Sequence, residues 1–100
     1  MTKTYLASAL LGAGLLAAPA AMAADASGET IAAQCNGCHG FKGQSKGAAP
    51  AINGLPKSYI VSSMQDFKAD KRPATIMNRI AKGYTDQEIE NVADYYSSAK

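Results

Sequence analysis

The chain has 100 residues, with ten Lys and Arg against eight Asp and Glu, and a formal charge of +2. That length holds one small domain, and so balanced a charge gives no electrostatic case for a nucleic-acid role. Apolar residues make up 47% of the whole, but one N-terminal run inflates that share, so it does not measure a core.

That run comes first in the chain. Lys3 gives a positive start, an apolar stretch rich in Leu and Ala follows from Tyr5 to Ala18, and Pro19 breaks it before Ala21-Met22-Ala23. The order is that of a secretory signal peptide with an A-x-A cleavage site. Residues 1–23 are expected to be removed and residues 24–100 to form the mature domain, exported to the periplasm. A membrane span needs about 20 apolar residues, which this run does not supply; an uncleaved N-terminal anchor is the alternative. The mature chain of 77 residues has a net charge of +1. A domain this small buries little surface and gains from an additional apolar body to pack around.

The first helix is predicted from about Ala26 to Cys38, with Ser27 as its N-cap, Thr30 three residues on, and Ile31 as its main apolar residue. Its end reads Cys35-Asn36-Gly37-Cys38-His39, the C-x-x-C-H pattern of covalent c-type haem attachment. Two thiols add across the two vinyl groups of one porphyrin. A two-residue spacer lets both reach it from one helical turn. The adjacent His39 is then carried under the iron as its proximal ligand. Cys35 and Cys38 are the only cysteines and His39 the only histidine, so the expectation is one haem c per chain. A redox dithiol would need a βαβ context. A structural zinc site would need four ligands where this cluster offers three. A disulfide across so short a spacer would be strained.

Gly40 is placed to stop that helix. Phe41 to Leu55 is predicted as a loop, because it holds Gly43, Gly47, Pro50 and Gly54 and no apolar period. Lys57 to Lys68 is the second helix, behind Pro56, with Ile60, Met64 and Phe67 on one face. Asp70 to Ala74 is a charged turn with Pro73. Thr75 to Gly83 is a short segment holding Ile76, Met77 and Ile80. Thr85 and Glu88 form a capping box for the last helix, whose apolar positions are Ile89, Val92, Ala93 and Tyr96. No segment reads as a strand. The expected class is all-α, with three main helices and loops around one covalent haem.

An electron-transfer haem needs a second axial ligand, and methionine is the common choice because it raises the potential. Met64 and Met77 are the two methionines of the mature chain. Met64 lies on a regular apolar face and reads as a core filler. Met77 lies in an aperiodic segment after Pro73 and is the preferred ligand. If neither binds, the iron is five-coordinate and the protein a haem sensor.

The stretches CNGCHG, APAINGL and TIMNRIAKGYTDQEIENVADYY resemble a class I cytochrome c domain across essentially the whole mature chain. The resemblance implies that the carbonyl of Pro50 accepts a hydrogen bond from the proximal histidine; Pro56 does not match that position. It also implies a methionine ligand shortly before the last helix, which Met77 matches. TIM-x-RIAKGY and the preceding MQDFKAD stretch are similar to the cytochrome subunit of flavocytochrome c sulfide dehydrogenase. That resemblance implies a single-haem subunit that accepts electrons from a sulfide-oxidising flavoprotein and performs no catalysis itself. A free-standing carrier between respiratory complexes is the alternative. Phe41, Tyr59, Phe67, Tyr84, Tyr95 and Tyr96 are candidates for the haem surround. Lys42, Lys46 and Lys82 are candidates for steering an acidic redox partner, and Arg72 and Arg79 for pairing with the haem propionates.

Overall fold

Ser27 sets the start of the first helix, α1 (Gly28–His39), by accepting the Thr30 N–H on its side chain. The helix begins two residues later than the sequence predicts. Ala26 is diverted by the last helix: its N–H donates to Glu88 at 2.9 Å, and its carbonyl accepts from the Asn91 amide at 3.0 Å. The computed structural model describes residues 24–100; the signal peptide read over residues 1–23 lies outside the described residues.

Three further helices follow: α2 (Lys57–Lys68), α3 (Met77–Ala81) and α4 (Asp86–Ser98). A single 3-10 turn covers Phe41–Gly43. No strand occurs among the described residues. Helix α2 spans the residues the periodicity predicts, with Ile60 and Met64 buried. Helix α3 lies inside the short segment Thr75 to Gly83, where the sequence leaves a loop or a short helix open: residues Met77–Ala81 form a helix of five residues. Too short to nucleate alone, it is held through Ala81, which is fully buried in the common core.

Helix α4 organises the packing. Its capping box is complete: Thr85 accepts the Glu88 N–H, and the Glu88 carboxylate accepts the Thr85 N–H. Such a cap contributes about 1 kcal/mol. One face of α4 buries Ile89, Val92, Ala93 and Tyr96, and the helix packs on both α1 and α2. Burial of a residue such as Ile89 stabilises by about 1.5–3 kcal/mol. Gly28 marks where α1 crosses α4 closest: a Cβ there would lie 2.2 Å from the Asn91 carbonyl oxygen. Among the described residues no helix is long and apolar enough to cross a membrane.

Tyr96 joins α4 to the end of α1. It is buried, and its hydroxyl donates to the Ala32 carbonyl at 3.2 Å. Burial raises the pKa of that hydroxyl far above the ordinary tyrosine value, so it stays protonated. Asn36 lies 2.6 Å from it; with the amide nitrogen turned toward Tyr96, Asn36 also donates to the Gly40 carbonyl at 3.0 Å.

Tyr96→Phe keeps the ring and removes the hydroxyl, leaving the Ala32 carbonyl and the Asn36 amide each without one partner. Urea unfolding should show a loss of about 1–3 kcal/mol; an unchanged midpoint would mean that the ring alone holds α1 to α4. Acid stability gives a second check. The Thr85 and Ala26 N–H groups hold the Glu88 carboxyl below its ordinary pKa of 4.5. A depressed folded-state pKa gives stability that is present above 4.5 and lost as pH falls through the folded-state value. Thermal unfolding scanned from neutral pH into the acid range should show a limb that Glu88→Gln makes shallower.

Candidate haem site

The C-x-x-C-H motif occupies the last turns of α1, where an i, i+3 spacing sets Cys35 and Cys38 on one face. Cys35 is half-buried and Cys38 exposed, and neither is in a disulfide. Burial raises the Cys35 thiol pKa. The helix stops at Gly40, whose φ of +84° favours glycine.

His39 is fixed by the loop that follows. Its Nδ1 lies 2.6 Å from the Pro50 carbonyl oxygen. A carbonyl only accepts, so Nδ1 carries the proton and Nε2 is left as the ring's lone-pair donor. The loop holds Pro50 by closing on itself. The Ile52 N–H donates to the Gly43 carbonyl at 2.8 Å, and the Ser45 hydroxyl donates to the Ala49 carbonyl at 2.5 Å. Gly43 in turn rests on Tyr96: with φ at +75°, a Cβ there would lie 2.8 Å from the Tyr96 ring. The Gly54 N–H donates to the Tyr96 carbonyl at 2.7 Å. One tyrosine therefore anchors both the motif helix and the loop that orients its histidine.

The donor set suits a covalent haem. Two thiols share a helical face, and the single imidazole has one nitrogen already satisfied. Among the described residues no three His, Cys, Asp or Glu side chains come together as a metal-binding group. Large apolar side chains flank the candidate ligands in sequence. Phe41, two residues after His39, is 75% exposed, and Ile76, just before Met77, is 52% exposed. Both offer apolar surface of the kind a porphyrin covers.

The two methionines differ. Met64 is buried in the core, whereas Met77 is half-buried and opens α3. The aromatic candidates scatter. Tyr95 and Tyr96 meet edge to face at the α1–α4 contact, with centroids 5.0 Å apart. Phe67 and Tyr84 are half-buried, and Tyr59 is exposed. The Tyr84 hydroxyl donates to Gln34, next to Cys35, while Lys68 holds the Tyr84 carbonyl at 2.7 Å. Arg72 sits over the Phe67 ring at 4.7 Å and donates to Ser63. Arg79 is exposed. Lys42 and Lys46 are exposed, whereas Lys82 is engaged with Asp70 at 2.8 Å. In sequence, Asn36 is one of the two spacer residues and Gly43 one of several loop glycines, and neither is marked there as part of the site. The signal for Gly43 was its place in a loop with no apolar period; for Asn36 there was none.

A family model described as Cytochrome c matches residues 26–100. The chain is 42% identical, over 71 residues, to the cytochrome subunit of sulfide dehydrogenase of Chlorobaculum tepidum, covering 71% of this chain and 64% of that one. It is 39% identical, over 100 residues, to the thiosulfate dehydrogenase electron acceptor of Thiomonas intermedia, covering 98% of this chain and 45% of the relative. The structure of a cytochrome c4 from Acidithiobacillus ferrooxidans matches with a TM-score of 0.61 and 39% identity, over 64% of this chain and 38% of that one. The chain thus spans less than two thirds of the length of each of these relatives. With an all-helical fold, a C-x-x-C-H motif closing its first helix and a match over residues 26–100, the chain belongs to the cytochrome c family and carries electrons on a covalently bound haem c.

Proposed function

We propose that this chain is the haem subunit of a periplasmic sulfide dehydrogenase and takes electrons from a flavoprotein subunit. The observation that carries this reading is the 42% identity to a cytochrome subunit of sulfide dehydrogenase. The likeness to an electron acceptor of thiosulfate dehydrogenase supports it, because both names attach a similar chain to oxidation of a sulfur compound. In this reading residues 1–23 are a leader removed on export, and residues 24–100 are the working domain. The second reading is a free-standing carrier, kept because the likeness extends to a cytochrome c4, whose name attaches it to no sulfur-compound dehydrogenase.

In this proposal Cys35 and Cys38 would hold the haem through thioether bonds, and His39 and Met77 would ligate its iron. Bound haem supplies an iron that alternates between two oxidation states without making or breaking substrate bonds. The Pro50 carbonyl, 2.6 Å from Nδ1, holds the His39 ring in one orientation and tautomer. A partner of this kind also makes the ligating nitrogen more basic. Met77 enters from the opposite end of the sequence, on a short helix tied to α2. Lys42 and Lys46 beside the motif help steer an acidic partner. Redox partners of this type meet over a small interface, below about 1,200 Å².

Met77→Ala should abolish the far-red charge-transfer band of a methionine-ligated ferric haem and lower the reduction potential. Met64→Ala should keep that band and cost about 2–5 kcal/mol of stability, because Met64 is buried. The reverse pattern would make Met64 the ligand, and no band in the native protein would leave a five-coordinate sensor. For the partner, the cytochrome should co-purify with a larger flavoprotein at low salt and be reduced by it in stopped-flow mixing with sulfide. A cytochrome that purifies alone, and is reduced only by a quinol-oxidising complex, would establish the free carrier.

A further inference from the structure

The segment between α2 and α3 brings the chain to Met77 with little packing of its own. Residues 69–76 are all exposed and contain no helix or strand. Polar ties do the holding. The Lys71 N–H donates to the Asp66 carbonyl at 2.7 Å, and Arg72 lies against Phe67 and Ser63. At the head of the segment stands Asp70, with φ at +58°. That is the left-handed region, which aspartate and asparagine adopt more readily than other side-chain-bearing residues, though at more cost than glycine.

The carboxylate closes a ring across α3. Asp70 Oδ1 accepts from Lys82 Nζ at 2.8 Å and from the Asn78 amide at 3.5 Å. Lys82 Nζ also donates to the Asn78 carbonyl at 3.3 Å. Lys82 follows the last residue of α3, Asn78 is its second, and Met77 its first. The three groups therefore span a helix of five residues and fasten both its ends to the end of α2. With its nitrogen toward Asp70, Asn78 leaves its amide oxygen buried without a donor. The Lys82 ammonium holds the Asp70 carboxyl below its ordinary value, in keeping with a formed pair.

We propose that Asp70 is a positioning residue for the methionine ligand: clasped to Lys82 and Asn78, it fixes α3 against the end of α2 and so keeps Met77 in place. This rests on the reading of Met77 as the axial ligand. Unlike the Pro50 contact, which orients the ligand from the motif side, the clasp acts on the ligand that must be held by a short, exposed segment.

The test uses ferric holoprotein and imidazole, a neutral probe that enters only when the methionine leaves. Asp70→Gly removes the carboxylate and also relieves the backbone strain, so it does not simply unfold the protein. It should speed imidazole binding about three- to fivefold, the upper range of an exposed pair's coupling, with thermal stability unchanged or raised. Lys82→Gln should do the same, and the double variant should add nothing further, as partners in one interaction do. Asp70→Asn, which tolerates this φ and still accepts a hydrogen bond, should recover part of the native rate. Unchanged rates in Asp70→Gly, or additive effects in the double variant, would overturn the clasp while the charge-transfer band of the native protein still upheld Met77. A native protein with no such band, binding imidazole without a displacement step, would overturn the ligand reading and the clasp with it.

Discussion

The hydrogen-bonded contact of Tyr96 with the end of α1 is the constraint on which the site depends. The ring closes the core between α1 and α4, the hydroxyl donates to Ala32 and meets Asn36, and the carbonyl receives Gly54. Gly43 lies against the same ring because no side chain fits there. Asn36 is inside the C-x-x-C-H motif, Gly43 closes the loop that presents Pro50, and Gly54 ends it. Moving Tyr96 would displace the thiols, the histidine and the carbonyl that orients it together. A buried network of this kind fixes a geometry because each lost partner costs more than a typical bond contributes.

The two sides of the site are held by different physics. The motif side is anchored by buried packing and a buried hydroxyl, which solvent and salt screen little. The Met77 side stands on a five-residue helix and an exposed segment, tied by Lys82, Asp70, Asn78 and Arg72. Exposed pairs are individually weak and screened by salt. The methionine side is therefore the more easily loosened, as would suit the ligand proposed there, held by coordination and not by a covalent bond.

Charge is placed at seams more than at the site. Lys57 reaches Glu90 and Asp94 across α2 and α4, and Lys68 reaches Asp86 while holding the Tyr84 carbonyl. Glu88 serves both the cap of α4 and the Ala26 N–H at the entry to α1. These contacts align helix ends, and the apolar stripe of α4 supplies most of the burial.

Local chemistry made much of this legible. The C-x-x-C-H spacing identifies the cofactor because two thiols and an imidazole within five residues have few other uses. The Thr85–Glu88 box and the Ile60–Met64–Phe67 spacing give α4 and α2 their places, since caps and helical periodicity are decided by neighbours in sequence. Three things had to wait for the tertiary structure. The start of α1 at Gly28 is set by Glu88 and Asn91, which hold Ala26 from more than sixty residues away. The helix at Met77–Ala81 has no cap of its own and depends on burying Ala81. The role of Asn36 comes from Tyr96, sixty positions on. Sequence marked the thiols and the imidazole proposed to hold the haem, and the three main helices, because those follow from covalent spacing and short-range hydrogen bonds. Where those groups are held was decided only by folding, because each is fixed by a contact between residues that the chain itself keeps far apart.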